Sequence, residues 1–238
     1  MYSLRARVAP ALLALSPVLA LGIAVLPFLP GANKLWSLLS FGVTTYGALV
    51  ARKEGNRVQP ELWAIWGGQP ATAPLRFRSD GGDDEVARRH ATLEVVLGGG
   101  AFLPTRHDEM SDPGSAEMAY SAAVRRLIGK VRDHPKSRLL HLENRNYGYA
   151  RNLYGLKPLG LRWTWIVLVV SLLALATLGP TNGLDAATPF ILPGAVSSMA
   201  LFLWRNVDPD FVRPSADAYV GRLFEVLDDL AEDATREA

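Results

Sequence analysis

The strongest structural signal in the chain is residues 8–29, VAPALLALSPVLALGIAVLPFL, which contain no Asp, Glu, Lys, Arg or His. A helix rises ~1.5 Å per residue and the hydrocarbon layer is ~30 Å thick, so about 20 apolar residues cross a bilayer. Three further windows are free of these residue types, namely 35–51, 163–178 and 186–204. A soluble chain of 238 residues has no core that could bury four such windows. We therefore predict four transmembrane spans.

The composition excludes several other classes of protein. The chain is 49% hydrophobic and has no cysteine, which argues against a disordered chain and against a secreted disulfide scaffold. The predicted fold is a mainly α membrane protein with two transmembrane helical hairpins, a small helical cytoplasmic domain between them and an amphipathic C-terminal helix. The predicted domains are the first hairpin at 1–52, the cytoplasmic domain at 53–160, the second hairpin at 161–205 and the C-terminal helix at 206–238.

The distribution of basic residues predicts the orientation of the spans. The flanks that would share one side of the membrane contain Arg5, Arg7, Arg52, Lys53, Arg57, Arg162 and Arg205, whereas the two opposite turns hold one Lys and one Asp. Because short cytoplasmic flanks are enriched in Lys and Arg, both termini and the central region are expected in the cytoplasm. The first window is expected to be retained as a span, since no convincing cleavage site follows it.

The spans contain hydroxyl groups but no ionisable side chain, which argues against a proton-coupled transporter. The hydroxyls could line a path in an assembly of subunits, or they could serve ordinary helix packing. The pore-lining candidates are Thr44, Thr45, Ser197 and Ser198. Pro189 and Pro193 predict a kink in the fourth span.

The central region contains residues that are typical of the starts and ends of short helices. Residues 60–68 resemble a short aromatic helix that glycines end, and Asp83 opens a helix that ends before Gly98. Asp112 followed by proline predicts a capped helix whose apolar stripe runs from Ala116 to Val131. A short hairpin is a further possibility in this region.

The segment from Arg125 to Arg162 is strongly basic. It contains ten basic and two acidic residues, with tyrosines and asparagines interleaved. Cations suit phosphates, aromatic rings suit base stacking and amides suit base edges, so the segment could bind a nucleotide or oligonucleotide. A polybasic strip before a span also attracts anionic lipids. The ligand-binding candidates are Arg125, Arg126, Arg138, Asn144, Arg145, Tyr147, Arg151, Asn152 and Lys157.

Within this segment, the asparagines predict turns and left-handed backbone, and Gly148 and Gly155 predict the close approach of a chain or ligand. The competing interpretation is a structural elbow that holds the third span against the cytoplasmic domain. The tail 205–238 contains four basic and nine acidic residues, and a helix beginning at Pro214 has one apolar face. We expect that face to pack on the central region, with pairing between subunits as the alternative.

Residues for catalysis or for a cofactor are not evident. The chain lacks a phosphate-binding loop, a His-Glu-x-x-His motif and a nucleophile elbow, so we predict no catalytic residue, no metal and no cofactor. His134 and His141 are seven residues apart without an acid at ligand spacing. The acidic run 83–85 is more typical of a helix start than of a Mg²⁺ site. The run His107-Asp108-Glu109 is similarly short and has no further ligand to support a metal site.

Residues 142–158, LENRNYGYARNLYGLKP, resemble a signature found just before the third span in a bacterial family of small four-span proteins. Residues 66–72, 103–105 and 112–113 are similar to the family in the same order, while Ala150 stands where its pattern has a second arginine. The family is associated with antiphage defence, as in the Hailong type and in cyclic-oligonucleotide systems. There, a nucleotidyltransferase or its nucleic-acid product controls a four-span effector. The resemblance implies an effector that permeabilises the bacterial inner membrane.

These observations favour an ion-conducting pore that a cytoplasmic ligand gates. Four short spans cannot enclose water alone, so we expect a homo-oligomer, tetramer-like in size. Its expected partners are anionic lipids and the nucleotidyltransferase or its oligonucleotide product. One alternative is a passive scaffold that recruits a soluble partner through the acidic tail. Another is a membrane enzyme that acts on lipid phosphates through Asp83, Asp84 or Asp108.

Overall fold

The computed structural model describes residues 4–28, 32–77, 82–98, 103–132 and 134–237. These residues form helices and short connections, and no strand occurs among them. The chain divides into two compact units, one of residues 1–60 and 145–213 and the other of residues 61–144 and 214–238. The boundaries predicted at 52, 160 and 205 mark the ends of the transmembrane hairpins, which is a different division from that into compact units. The hairpin considered for the central region is absent from the described residues, where short 3₁₀ turns connect the helices.

The first unit begins with a π-helical turn, Leu4–Val8, which continues into helix α1, Ala9–Val25, and a 3₁₀ turn, Leu26–Phe28. Helix α2 follows as Ala32–Ile65. The sequence predicted a separate short helix at 60–68, and this was wrong, because Pro60 lies inside α2. The glycine stop was correct, since Gly67 has a φ of +77° and Gly68 a φ of +130°, values that favour glycine.

The other long helix is α6, Arg138–Asn182, which belongs to the first unit from Arg145 onwards. It contains the whole signature of residues 142–158 and the third apolar window. A short helix α7, Leu184–Ala187, and a 3₁₀ turn, Thr188–Phe190, lead into α8, Ile191–Arg205. Pro189 therefore lies in the 3₁₀ turn and Pro193 in the first turn of α8. The predicted kink is replaced by a break at the start of the span, where prolines are tolerated.

Three helical segments of the described chain are long and apolar enough to cross a membrane: Ala6–Val25, Arg138–Pro180 and Asp185–Arg205. Only 28% of the residues in each apolar window are buried within the protein. Large apolar side chains are correspondingly exposed along them, among them Ile23, Leu173 and Phe202. Exposed apolar surface of this extent is typical of helices that contact lipid. These segments correspond to the first, third and fourth predicted windows, and the second window lies in α2.

The second unit is a helical bundle around one core. Its helices are α3, Gly82–Leu97, α4, Arg106–Ser111, α5, Pro113–Val131, and the greater part of α9, Pro209–Glu237. The predicted cap is confirmed, because the Asp112 carboxylate accepts a hydrogen bond from the Ser115 amide at 3.0 Å. The predicted stripe of α5 is buried except for Ile128, which is partly buried against the same core.

The C-terminal helix packs by its apolar face, as the sequence predicted for docking on the central region. Val220, Leu223 and Leu227 of α9 share one core with Leu93 of α3 and Val124 of α5. The helix begins five residues before Pro214, so that proline lies within it. The apolar stripe therefore serves intramolecular packing, and acidic side chains such as that of Glu225 remain exposed.

A polar network joins the turn Pro70–Leu75 to α5. Arg76 donates from Nε to Glu117 Oε2 at 2.9 Å and from Nη1 to the Gly67 carbonyl at 2.7 Å. Thr72, which is fully buried, donates to Glu117 Oε1 at 2.7 Å. Because each charged or hydroxyl group finds a partner, the turn is held in one position on the bundle.

Candidate anion-binding site

The nine predicted ligand residues do not form one cluster in either unit. Arg125, Arg126, Arg138 and Asn144 belong to the second unit, and Arg145, Tyr147, Arg151, Asn152 and Lys157 belong to the first. All of the latter five lie on α6. The turn predicted for their asparagines is wrong, because residues 138–182 are continuously helical and no residue other than glycine has a positive φ in the described chain.

The close approach predicted at Gly155 is confirmed, and the approaching group is helix α2. A Cβ atom at position 155 would stand 2.6 Å from the Glu54 carbonyl carbon and 2.7 Å from the Gly55 nitrogen. A Cβ atom at position 55 would in turn stand 3.0 Å from the Asn152 Cα. Two glycines at the crossing let the backbones of α2 and α6 touch, as small residues do in membrane helix pairs.

Beside this crossing, Arg151 is held in a fixed position by neutral groups. Its Nη1 donates to Gln59 Oε1 at 2.5 Å and its Nη2 donates to Asn56 Oδ1 at 3.1 Å. The guanidinium carbon also lies 5.6 Å from the centre of the Tyr147 ring, within the range of a cation–π contact. Three groups on two helices thus orient one cation.

The charge of this guanidinium is not balanced. No carboxylate of the described residues pairs with Arg151, and its buried Nε has no hydrogen-bond partner. Arg52 lies one turn before Asn56 on α2, is exposed and adds a second positive charge to that stretch of the helix. An oriented arginine fork without a counter-ion matches the oxygens of a phosphate or carboxylate. This Arg151 site, formed with Tyr147, Asn56 and Gln59, is the strongest candidate for anion binding.

Arg145 is a second half-buried cation of the same helix. Its Nε is shielded from solvent and makes no hydrogen bond within the described part of the chain. Because a buried donor without a partner costs free energy, an anionic group that reached Arg145 would relieve that cost. Arg145 lies six residues before Arg151, which is less than two turns of α6.

Two of the predicted ligand residues hold the backbone instead. The buried Asn152 side chain donates from Nδ2 to the Ala6 carbonyl at 2.6 Å. Lys157 donates from Nζ to the Val207 carbonyl at 2.8 Å. Both side chains therefore connect other segments of the first unit to α6, and they are not part of the Arg151 site.

The candidates in the second unit are dispersed. Arg126 donates from Nη2 to the Leu97 carbonyl at a long 3.5 Å, at the end of α3. Arg125 and Arg138 are exposed, and Asn144 is half-buried. Exposed cations of this kind suit diffuse attraction of anionic lipid or nucleic acid better than a shaped pocket.

Some of the predicted pore-lining hydroxyl residues are buried in helix contacts, and others are exposed. Ser197 is fully buried without a partner for its Oγ, and Ser198 is exposed and donates to the Gly194 carbonyl at 3.0 Å. A Cβ atom at Gly194 would stand 3.4 Å from the Ser171 Cβ, so small residues line the contact between α6 and α8. Thr45 is exposed on α2, and the side chain of Thr44 lies outside the described part.

The histidines and acids considered for metals are engaged in local contacts. His134 Nε2 lies 3.6 Å from Asp233 Oδ2, and His141 Nε2 lies 3.1 Å from the Arg132 carbonyl. Asp108 forms a capping box with Thr105, and its pKa is lowered by those hydrogen bonds. Within the described ranges, no group of three or more His, Asp or Glu side chains could hold a metal.

Sequence reasoning missed Asn56 and Gln59, the amides that position Arg151. The available signal was their spacing, since residues 52, 56 and 59 fall on one face of a helix. Their distance of more than 90 residues from Arg151 hid the pairing. Comparisons of the chain with protein-family models, curated proteins and solved structures found no match.

Proposed function

We propose that the protein is an oligomeric membrane effector whose pore opens when an anionic ligand of the nucleotide class, or a partner that carries one, binds at the Arg151 site. The spans would be the four apolar windows, with both termini and the central region in the cytoplasm of a bacterial cell. This is an ion-conducting, non-enzymatic role in antiphage defence. The resemblance of residues 142–158 to the four-span effector family supports the defence context.

The observation that carries the proposal is the continuity of α6. Arg151 and Trp163 are 12 residues apart in one helix, which corresponds to about 18 Å at 1.5 Å per residue. Because the helix is unbroken between the two residues, a displacement at Arg151 would be transmitted along it to the start of the apolar window. Pro158 lies between them, and the helix continues through it.

Gating requires that the ligand bind the open and closed assemblies unequally. Arg151 offers such a difference, because its two amide partners belong to α2 and the arginine belongs to α6. A phosphate that took the guanidinium from Asn56 and Gln59 would loosen the α2–α6 contact on one side of the glycine crossing. The free energy of anion binding would then favour a changed packing of the two helices.

The experiment is inducible expression of the protein in bacteria that contain a potential-sensitive dye. The ligand is supplied by co-expression of a nucleotidyltransferase that makes cyclic oligonucleotides. The proposal predicts depolarisation that grows on co-expression. Arg151→Gln should remove the increase, whereas Arg222→Gln, at a half-buried α9 arginine that pairs with Glu225, should preserve it. Full membrane expression without any depolarisation would contradict the pore and favour the scaffold that recruits a partner through the exposed acids of α9.

A further inference from the structure

Helices α1, α2 and α6 line an open cavity of about 260 Å³ within the first unit. Its walls come from Ala11, Ala14 and Leu15 of α1, from Tyr46, Gly47 and Val50 of α2, and from Leu156, Leu159 and Trp163 of α6. The only side-chain polar atoms among these residues are the Tyr46 hydroxyl and the Trp163 indole nitrogen. Since a buried water needs two to four polar partners, the cavity suits an apolar occupant.

The cavity opens towards the outside of the unit at its aromatic rim. Tyr46 is 70% exposed and Trp163 is 37% exposed, although both contribute to the wall. Tyrosine and tryptophan in such positions are typical of the boundary between hydrocarbon and headgroups. An acyl chain could therefore enter from the lipid phase with its headgroup beside the two rings.

Positive charge flanks the rim on two of the three helices. Lys53 follows Val50 by less than one turn of α2, and Arg162 directly precedes Trp163 on α6. Both side chains are exposed, and neither makes a hydrogen bond or ion pair with a described residue. Basic residues beside a gap between membrane helices select anionic headgroups.

We infer that this cavity binds one acyl chain of an anionic phospholipid, with Lys53 and Arg162 at its phosphate. The inference rests on the membrane location in the proposed function, and it concerns a site distinct from Arg151. In a bilayer, an acyl chain gains little by leaving other chains for a cavity, so affinity comes from packing and selectivity comes from the headgroup charge. The occupant would fill the space between α1 and α6 and thereby stabilise the three-helix packing.

The test is native mass spectrometry of the detergent-purified full chain with phosphatidylglycerol or phosphatidylcholine of identical acyl chains. Wild type should retain phosphatidylglycerol at least fivefold more than phosphatidylcholine. Val50→Phe fills the cavity and should lower retention of both lipids at least fivefold, and Leu159→Phe is the second filling variant in case the first fails to fold. Leu49→Phe, at a 61% exposed position of α2 outside the wall, is the control and should behave as wild type.

Gly47 is unsuitable for filling, because a Cβ atom there would stand 3.0 Å from the Ala11 Cβ and disturb the helix contact itself. The contribution of charge is tested with the double variant Lys53→Gln and Arg162→Gln. It should abolish the preference for phosphatidylglycerol and leave the total amount of retained lipid unchanged. Unchanged retention in both filling variants, or equal retention of the two lipids by wild type, would overturn the inference. Lipid selectivity without depolarisation would contradict only the pore, and depolarisation without selectivity would contradict only the lipid site.

Discussion

Gly155 of α6 lies so close to Glu54 of α2 that a Cβ atom at position 155 would stand 2.6 Å from the Glu54 carbonyl oxygen. Alanine is intrinsically better than glycine in a helix by about 1 kcal/mol, so Gly155→Ala would stabilise an isolated α6. In the folded unit, the backbone of α2 cannot give way as a flexible side chain could. We predict a net destabilisation of about 1–3 kcal/mol, measured by thermal unfolding of the detergent-purified protein.

Gly221→Ala is the matched control for Gly155→Ala. Gly221 is also helical, but nothing lies within 4 Å of a Cβ atom built there. Its substitution should be neutral or stabilise by up to about 1 kcal/mol. If both variants raised the unfolding temperature alike, the close contact of α2 and α6 at Gly155 would be refuted.

The Asn152 side chain is predicted to fasten the N-terminal turn. Its amide donates to the Ala6 carbonyl and is buried, so Asn152→Ala leaves that carbonyl without this partner. We expect a loss of about 1–3 kcal/mol and faster hydrogen exchange in residues 4–10. Asn206→Ala serves as the control, because the exposed Asn206 amide, which caps the end of α8, donates only locally to the Phe202 carbonyl four residues before it. Equal exchange of residues 4–10 in all three proteins would show that Asn152 does not hold the turn.

The network around Glu117 is predicted to hold the Pro70–Leu75 turn. Thr72→Val keeps the shape of the buried side chain but removes the hydroxyl that Glu117 and Arg76 both contact. We expect the α5 and turn amides to lose about 1–3 kcal/mol of protection in hydrogen exchange. Thr92→Val, at a hydroxyl that bonds only to the Arg88 carbonyl, should change protection little. The prediction fails if the two substitutions have the same effect.

The second unit is predicted to lose stability in acid through His90. Burial lowers the pKa of His90 below its usual 6.5. The hydrogen bond from Nε2 to the Leu75 carbonyl and the charges of Glu94 and Glu109 act in the opposite direction, but their effect on the pKa is smaller than that of burial. The unfolded chain therefore binds the proton more tightly than the folded one. The stabilisation is fully present above pH 6.5 and decreases as the pH falls towards the lowered pKa of the folded state.

The measurement is the protection of α5 amides from pH 7.5 to 5, corrected for the intrinsic pH dependence of exchange. His90→Gln should flatten the decline, because glutamine cannot take up the proton. His107→Gln, at an exposed position of α4, should leave the decline as in wild type. A decline that persists unchanged in His90→Gln would assign the acid sensitivity to other groups.

The amphipathic parts of the fold were predictable from sequence because local signals agreed with the tertiary contacts. The stripe from Ala116 to Val131, the Asp112 cap and the glycine stops at Gly67 and Gly98 all follow from local backbone physics. The same agreement predicted that the apolar face of α9 packs on the central helices. For a helix with a single buried face, the periodicity of its apolar residues was sufficient to predict which side chains are buried.

The Arg151 site and the neighbouring helix crossing were less predictable, because tertiary contacts there override the intrinsic backbone preferences of the residues. Asn144 and Asn152 favour turns when isolated, yet they lie in α6, where the Asn152 amide has a distant carbonyl as its partner. Gly155 is required by the backbone of α2, and no pattern within residues 142–158 could reveal that partner. Asn56 and Gln59 signalled only a shared helix face, and their partner Arg151 lies more than 90 residues away in the sequence.

Labelling of single cysteines tests most directly whether the apolar windows cross lipid and the central region faces the cytoplasm. The chain has no cysteine, so the wild type provides an unlabelled background. A membrane-impermeant maleimide added to spheroplasts should label Asn33→Cys, near the start of α2, and Thr181→Cys, near the end of α6, because both positions lie between apolar windows. It should label Met118→Cys, at a 68% exposed position of α5, only after lysis. Labelling of Met118→Cys in sealed spheroplasts, or protection of both Asn33→Cys and Thr181→Cys until lysis, would contradict the account.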